Sequence, residues 1–270
     1  KFIRPDKKYL HDPFLFGAME VVTERIKSAK ENGETVVIYG DYDADGISAT
    51  AIMYRGLKLF GIDAYAVVPE RENGYGLTEG VLERVLEEYC PDLIITVDCG
   101  ISAYAEIEEL KDLGVDVIVT DHHEIPYKET EDGRELILPP ADAIVNPKQP
   151  DCNYPEKRLC GAVVALKLVT ALYEACGIPA KELEDFLELG AIATVGDVID
   201  LQGENRILVK EGLKRLSHTS NKGLRELIRA NGLEDGPITA YHVGFVLGPC
   251  INASGRLDTA ARSLKLLCAK

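Results

Sequence analysis

The sequence predicts an α/β fold in which a parallel five-stranded sheet carries helices on both faces and is followed by a helical annex. Short apolar runs typical of buried strands alternate with longer helical patterns up to about residue 180, as in parallel sheets. Beyond that point the strand-like runs stop and only amphipathic helical patterns follow. With 270 residues, 46% of them hydrophobic, the chain is long enough to bury a substantial core.

The elements follow one another in a regular order. The strand-like runs cover residues 35–39, 64–68, 93–97, 115–119 and 143–145. Helical patterns cover residues 47–60, 78–88, 102–113 and 161–175, and then 182–193, 205–216, 222–230, 239–247 and a last helix from 258. We place an α/β domain at residues 1–200 and the helical annex at 201–270. The polar segment 129–140, which ends in proline, is expected to be a mobile insertion.

Composition excludes several classes of protein. No apolar stretch reaches the roughly 18 residues that span a bilayer, and the first residues lack the apolar region of a signal peptide, so we expect a cytoplasmic protein without membrane contact. The seven cysteines are scattered without a CxxC pair, which argues against a disulfide framework or a structural zinc. The chain starts without Met and stops on an amphipathic pattern, so we expect a piece of a longer protein.

The net charge of −15 opposes a nucleic-acid partner, because phosphate binding normally relies on a surplus of Lys and Arg. Two divalent cations would add only four positive charges. A polyanion would therefore need locally placed arginines, or basic domains outside this sequence.

Acidic residues follow three of the predicted strands at the point where each strand ends. The first run leads into Asp41, Asp43 and Asp45, the third leads into Asp98, and the fourth leads into the Asp-His-His triplet 121–123. In open parallel sheets, ligands bind outside the carboxyl ends of the strands. The three clusters are therefore expected to share one cleft.

Two other interpretations of the first cluster are weaker. Its spacing matches the opening of an EF-hand loop, but Ile52 occupies the twelfth position, where a calcium loop needs a bidentate Glu, and no helix precedes it. The aspartates could instead form turns and cap helices, which is the commoner role of a single Asp-Gly after a strand. The repetition at three strand ends favours a site for a hard metal ion.

A further acid lies in an apolar stretch of residues 193–200. Asp197 would be buried there, and a buried carboxylate needs a partner or a metal; a buried helix cap is the alternative. A ligand set rich in carboxylates, with few histidines and no thiolates, suits Mg²⁺ or Mn²⁺ rather than zinc. When one carboxylate bridges two such ions, the pair can activate water for in-line attack on a phosphoester.

Several motifs together resemble the RecJ single-strand-specific exonuclease family of the DHH phosphoesterase superfamily. They are Tyr39 to Gly46, Arg71 with Gly74 to Leu77, Asp121-His122-His123, Val145-Asn146-Pro147, Thr194 to Asp197 and Ile251 to Leu257. The Asp-His-His triplet alone is a weak signal, whereas the combination is specific. The resemblance implies a DHH catalytic domain with two Mn²⁺ or Mg²⁺ ions that degrades single-stranded DNA 5′ to 3′ into mononucleotides during recombination and repair. It also implies single-strand-binding protein and recombination helicases as partners.

The resemblance assigns roles residue by residue. The implied metal ligands are Asp43, Asp45, Asp98, His122 and Asp197. Asp98 would bridge the two ions, and His123 would face the scissile phosphate or its water. Many superfamily members have a His where this chain has Tyr39, so we expect one metal site to be weaker or more hydrated.

The resemblance also implies substrate contacts. Arg71 and Arg256 would bind phosphates, for which guanidinium groups are suited, although both could be ordinary surface arginines. Tyr75, next to Gly76, could stack a base or simply pack in a turn. Asn146 is expected to line the site rather than bind metal. Relatives continue with a DHHA1-type domain and an OB-fold, so we expect this fragment to bind DNA less well than they do.

Three alternatives remain at this point. An oligoribonucleotide or cyclic-dinucleotide phosphodiesterase and a type II pyrophosphatase use similar ligands, but those groups typically start their first motif with a His. A non-catalytic replication scaffold related to RecJ would have lost ligands. Here all of the implied acids and His122 are present.

Overall fold

The computed structural model describes residues 6–131, 133–257 and 259–269, and side chains are described for these residues except 73 and 254–257. The strands are β1 (Val36–Gly40), β2 (Tyr65–Val67), β3 (Leu93–Val97), β4 (Asp116–Thr120), β5 (Tyr127–Thr130), β6 (Gly133–Leu136) and β7 (Ala143–Val145). Five of them form a parallel sheet in the order β2-β1-β3-β4-β7, and β5 and β6 form a separate antiparallel pair. The predicted five-stranded parallel sheet is confirmed.

The helices surround this sheet and continue beyond it. They are α1 (Met19–Asn32), α2 (Ala44–Phe60), α3 (Glu79–Tyr89), α4 (Tyr104–Asp112), α5 (Gly161–Ala175), α6 (Phe186–Gly196), α7 (Gly203–Leu216), α8 (Lys222–Ala230), α9 (Ala240–His242), α10 (Gly248–Leu257) and α11 (Ala260–Leu267). A π-helical segment, Val243–Leu247, joins α9 to α10. Short 3₁₀ turns lie at Lys7–Tyr9, Pro13–Leu15, Arg71–Asn73 and Ala180–Leu183.

The central strands are buried on both faces, which explains their continuous apolar sequences. Every residue of β1 and β3 is buried, and the two strands pair in register from Val36 opposite Leu93 to Gly40 opposite Val97. Alternate residues of β1 enter different cores: Val36 and Ile38 pack with α1, α2 and α5, whereas Val37 and Tyr39 pack with α3 and α4. The helices therefore cover both faces of the sheet, as predicted.

Close packing of α2 against α5 fixes the layer on one face. An added Cβ at Gly56 would lie 2.7 Å from Val169 Cγ2, so only glycine allows this approach. The core on this face continues without a break into the annex, where Leu208, Leu224 and Leu267 belong to the same hydrophobic cluster. The division of the chain at residue 200 stays a prediction.

Three elements differ from the sequence prediction. Helix α1 was not predicted, although it buries Met19, Val22 and Ile26 at helical spacing. Helix α10 was not predicted either. The expected mobile insertion 129–140 contains most of the β5–β6 hairpin.

That hairpin has an identifiable physical basis. Lys128 pairs with Glu135 at 2.9 Å and Arg134 pairs with Glu129 at 3.2 Å across the two strands. The guanidinium of Arg134 also lies 4.2 Å from the centroid of the Tyr127 ring. Since every residue of both strands is exposed, these cross-strand contacts replace the buried face that sequence patterns detect.

In the described parts of the chain, every helix is too short or too polar to cross a bilayer.

Candidate metal centre

The ends of β1, β3 and β4 bring the three acidic clusters to one edge of the sheet. Asp98 directly follows β3, and its amide donates to Thr120 O at 3.0 Å; Asp121 directly follows β4, and its amide donates to Val145 O at 3.1 Å. Asp98 adopts a left-handed backbone conformation with φ of 60°, which is costly for a residue with a side chain and is commonest at functional sites. The sheet thus places these carboxylates at fixed points of a single cleft.

Helix N-termini position Asp43 and Asp45 of the first cluster. Asp43 caps α2, and its Oδ1 accepts from the amides of Asp45 and Gly46 at 2.8 and 3.0 Å. Asp45 is turned toward the start of α5, where its two oxygens accept from the amides of Gly161 and Ala162, both at 2.7 Å. The first amides of a helix favour a negative charge, so this contact holds the Asp45 carboxylate in one orientation.

Gly161 also makes room for Asp98. An added Cβ at Gly161 would lie 2.4 Å from Asp98 Oδ1. Only glycine therefore lets the start of α5 approach both Asp45 and Asp98.

Three overlapping groups of side chains can hold a metal ion, because within each group the ligand atoms lie within 4.8 Å of one another. The groups are Asp41 with Asp43 and Asp98, Asp45 with His122 and Asp197, and Asp98 with His122 and His123. Asp98 belongs to two of them. His122 Nε2 lies 3.0 Å from Asp98 Oδ1, 3.6 Å from Asp45 Oδ2 and 3.9 Å from Asp197 Oδ2.

The structure brings together all five ligands that the family resemblance implied and adds Asp41. Asp41 is 2% exposed and its Oδ1 makes no hydrogen bond with the described residues. In the sequence, Asp41 is the first of three aspartates at alternate positions after β1. The family resemblance assigned metal binding only to the other two, Asp43 and Asp45.

The chemistry of this donor set fits hard divalent cations. Asp98 Oδ1 is buried without a hydrogen-bond partner among the described residues, as is Asp41 Oδ1. Buried carboxylate oxygens without donors are costly unless a cation neutralises them. A ligand set of carboxylates with a few imidazole nitrogens and no thiolates suits Mn²⁺ or Mg²⁺.

The electrostatics lead to the same conclusion. Burial, followed by repulsion from Asp43, raises the pKa of Asp41 and that of Asp45 to about 7. Burial and the charge of Asp45 raise the pKa of Asp98. Divalent cations would stabilise the ionised forms, so metal binding should release protons near neutral pH.

The two histidines of the triplet have opposite properties. Burial, with a second contribution from His123, lowers the pKa of His122 to about 4, so His122 is neutral and able to bind a metal. The hydrogen bond between His123 Nδ1 and Asp121 Oδ1, 2.7 Å long, raises the pKa of His123. His123 is thus the residue of the pair that can carry a proton.

Asp121 acts as the support of this triplet rather than as a metal ligand. Its Oδ1 accepts from the amides of His122 and His123 at 2.7 and 3.1 Å, and its Oδ2 accepts from the Ile101 amide at 3.0 Å. Burial would raise the pKa of Asp121, but the hydrogen bond and charge of His123, together with the hydrogen bonds from backbone amides, lower it. Asp121 therefore stays ionised, holds the backbone of both histidines and fixes the imidazole of His123.

Tyr75 and Gly76 form one wall beside His123. The Tyr75 hydroxyl lies 3.1 Å from the ring nitrogens of His123, and Tyr75 is 50% exposed. Gly74 and Gly76 both have positive φ, 96° and 75°, and the buried Tyr39 hydroxyl donates to Gly76 O at 3.1 Å. Tyr39 therefore anchors the loop that carries Tyr75.

The other expected substrate contacts differ in their surroundings. The guanidinium of the exposed Arg71 lies 5.9 Å from the ring centroid of Tyr42, within the first acidic cluster. Asn146 is fully buried, and it donates to His123 O at 3.1 Å and accepts from the Lys148 amide at 2.8 Å, so its amide group is used in holding the chain behind His123. The side chain of Arg256 lies outside the described residues.

Helix α10, which contains position 256, nevertheless contacts the cleft. Asn252 Oδ1 accepts from the Ala44 amide at 2.7 Å, next to the Asp43 cap. Asp197 caps the C-terminus of α6 and is exposed, not buried as the apolar stretch predicted; it is followed by Val198, whose φ of 55° is unusual for a β-branched residue. The end of α6 thus supplies one metal-ligand candidate, and α10 in the annex supplies one brace for the start of α2.

Comparisons with known proteins agree with this geometry. The model of the DHH family, N-terminal domain, matches residues 35–194. The single-stranded-DNA-specific exonuclease RecJ of Bacillus subtilis is 41% identical over 268 residues, which cover 98% of this chain and 32% of that protein. RecJ of Thermus thermophilus is 42% identical over 245 residues, which cover 90% of this chain and 34% of that protein. The chain therefore spans about a third of the length of these two relatives.

Solved structures show the same likeness. A crystal structure of exonuclease RecJ bound to manganese superimposes with a TM-score of 0.81 at 40% identity, covering 94% of this chain and 61% of that one. The RecJ structure with Mn²⁺ from Thermus thermophilus gives a TM-score of 0.78 at 38% identity, covering 94% of this chain and 35% of that one. The resemblance to RecJ that the sequence motifs predicted is confirmed, and the chain belongs to the DHH family.

Proposed function

We propose that this chain is the catalytic part of a metal-dependent phosphodiesterase that degrades single-stranded DNA from the 5′ end into mononucleotides. The observation that carries the proposal is that Asp98 belongs to two metal-capable groups, one with Asp41 and Asp43 and one with His122 and His123, while His122 also belongs to a third group with Asp45 and Asp197. A shared carboxylate between two groups of ligands is the arrangement of two-metal hydrolases. The similarity to RecJ exonucleases supports single-stranded DNA as the substrate.

We assign two Mn²⁺ or Mg²⁺ ions to the centre, with Asp98 as the bridge. When bound, such ions supply Lewis-acid stabilisation of phosphoryl oxygens and activate water. The protein's part is to hold the ligands without rearrangement. The start of α5 orients Asp45, the left-handed backbone orients Asp98, and Asp121 holds the backbone amide of His122.

His123 is proposed to act on the substrate directly. Its Nδ1 is held by Asp121 Oδ1, which leaves Nε2 for the scissile phosphate or its attacking water. Because its pKa is raised, His123 can hold a proton at Nε2 and donate it to a phosphate oxygen. The Tyr75 hydroxyl lies 3.1 Å from Nε2 and would move aside when Nε2 meets the substrate.

The remaining assignments concern the strand. Arg71 and Arg256 would bind its phosphates, Tyr75 would stack a base, and Gly76 would let the backbone approach closely. Asn146 would act through His123, whose carbonyl it holds, rather than by lining the site. A role in DNA recombination and repair, a cytoplasmic location, and single-strand-binding protein and recombination helicases as partners are proposed from the family resemblance alone.

The experiment is to incubate the chain with Mn²⁺ and 5′-phosphorylated DNA, single-stranded or duplex, and to identify the products by chromatography. Mononucleotide release from the single strand alone is expected. Faster turnover of a cyclic dinucleotide or of pyrophosphate than of a long single strand would refute the proposal. No hydrolysis of any of these compounds, despite measurable Mn²⁺ binding, would instead favour a non-catalytic scaffold.

A further inference from the structure

A basic pocket lies on the edge of the molecule formed by β2, well away from the metal centre. Its volume is about 480 Å³, and the last turns of α2, strand β2 and helix α11 surround it. Three of its lining side chains are cationic, Arg55, Lys58 and Lys265, and two are tyrosines, Tyr54 and Tyr65. We call this site the β2-edge pocket.

The three cations lack ion-pair partners among the described residues. Elsewhere most basic side chains are neutralised locally: Arg25, for example, lies 2.6 Å from Glu34 and 2.7 Å from Asp116. In residues 6–131, 133–257 and 259–269, no carboxylate lies within 4.0 Å of the charged nitrogens of Arg55, Lys58 or Lys265. A protein with a net charge of −15 thus keeps three unneutralised cations around one cavity.

Aromatic rings hold two of these cations in place. The Arg55 guanidinium lies 5.1 Å from the centroid of the Phe186 ring, and the Lys58 ammonium lies 5.6 Å from that of Tyr54. Arg55 also acts electrostatically on Glu188, but this carboxylate is buried and accepts a 2.6 Å hydrogen bond from Thr219. The positive charge of the pocket is therefore available to a ligand.

The pocket also offers a surface for bases. Tyr65 is 48% exposed, and its ring is braced on one side by Tyr89, with centroids 4.5 Å apart. A groove that combines unpaired cations with braced, exposed aromatic rings is the usual design of a single-strand binding site, because the cations hold the phosphates and the rings stack the bases.

Helix α2 connects the pocket to the metal centre. Asp45 lies in its first turn and Lys58 in its last, 13 residues later, which corresponds to about 20 Å along the axis. At the phosphate spacing of one strand of a duplex, ~3.4 Å, this is about six nucleotides, and fewer for an extended strand. A single strand longer than a few nucleotides can therefore reach both places.

We propose that the β2-edge pocket binds the phosphodiester backbone of the single strand at a distance from the scissile bond. This inference rests on the proposed function, since it takes its ligand from the proposed substrate. It offers a way for an acidic protein to retain a polyanion, because three cations without ion-pair partners surround one pocket.

The test compares two double variants that remove the same charge. Lys58→Ala/Lys265→Ala empties the pocket of two exposed cations, and Arg84→Ala/Lys214→Ala removes two exposed cations on α3 and α7. Binding of a 20-nucleotide thymidine strand with a 3′ fluorophore is measured by anisotropy in EDTA between 50 and 200 mM salt. Each phosphate contact contributes about 0.7 to the slope of log K against log salt for single strands. The pocket variant should lose about 1.4 of that slope and about tenfold in affinity at 50 mM salt, and the control should lose neither.

A second readout tests length. With Mn²⁺, the pocket variant should have a lower kcat/KM on the 20-nucleotide strand and an unchanged kcat/KM on a 5′-phosphorylated trinucleotide. Equal slopes for the two double variants would overturn the inference, and so would failure of the wild-type chain to bind the strand. Displacement of the strand by polyglutamate or by thymidine monophosphate at equal concentrations of charge would assign the pocket to another anion. If the wild type hydrolyses the strand but both double variants show equal salt slopes, only this inference is refuted. If the slopes differ as expected but no hydrolysis occurs, only the proposed function is refuted.

Discussion

Replacing Asp41 by Asn should stabilise the metal-free protein at neutral pH and leave its stability near pH 4 almost unchanged. Asp41 is 2% exposed, its Oδ1 lacks a hydrogen-bond partner among the described residues, and burial with the neighbouring Asp43 raises its pKa from 3.8 to about 7. Asn has the same shape and carries no charge. The substitution therefore removes the electrostatic penalty with little change in packing.

The size and sign of the effect follow from proton linkage. Between pH 3.8 and about 7 the folded state binds a proton at Asp41 that the unfolded state has lost, so the free energy of unfolding falls as the pH rises through this window. A shift of about 3 pKa units corresponds to at most about 4 kcal/mol, reached above pH 7. The Asn variant should lack this decline.

Urea denaturation in EDTA at pH 4 and pH 7.5 measures the difference. Asp235→Asn, at an exposed position on a loop, is the control and should behave as the wild type. With saturating Mn²⁺ the order should reverse, because the wild type gains the free energy of metal binding to the folded state. A variant that is no more stable than the wild type at pH 7.5 in EDTA would refute the assignment of Asp41 to the strained acidic cluster.

Three further predictions concern the cleft. Asp98→Ala should abolish hydrolysis while the melting temperature in EDTA stays at or above that of the wild type; retained turnover at saturating Mn²⁺ would remove Asp98 from the bridging role. Arg256→Ala should lower kcat/KM on 5′-phosphorylated single strands tenfold to a hundredfold, since a charge-assisted hydrogen bond contributes ~1.5–3 kcal/mol, with partial recovery in Arg256→Lys and unchanged calorimetric Mn²⁺ affinity. An unchanged kcat/KM in Arg256→Ala would show that Arg256 is an ordinary surface residue that does not bind the substrate phosphates. Gly161→Ala should weaken Mn²⁺ binding at least tenfold, because its Cβ would lie 2.4 Å from Asp98 Oδ1, whereas Gly190→Ala, with 3.7 Å to its nearest neighbour, should bind normally.

The sheet and the acidic clusters could be predicted because their signals are local. Each central strand is a continuous apolar run, and its carboxyl end is marked by Asp41, Asp98 or Asp121. Helix α1 also carried a local signal in the spacing of its buried residues, which the prediction overlooked. The β5–β6 hairpin carried none, since ion pairs rather than a buried face hold it together.

Long-range contacts explain what the sequence could not show. Asp45 is oriented by Gly161, 116 residues away, and the close approach of that glycine to Asp98 is visible only in three dimensions. The same applies to Tyr39, whose hydroxyl anchors the loop of Tyr75 through Gly76 O. Net charge, an average over the chain, gave no indication that unpaired cations gather at the β2-edge pocket.

The central claim is that Asp98 joins two metal sites into one catalytic centre, and Mn²⁺ anomalous diffraction from crystals of the chain tests it most directly. The account predicts two peaks, one beside Asp41 and Asp43 and one beside Asp45, His122 and Asp197, with Asp98 in contact with both, and it predicts the loss of both in Asp98→Ala. A single peak that does not contact Asp98, or two peaks that persist in Asp98→Ala, would contradict it.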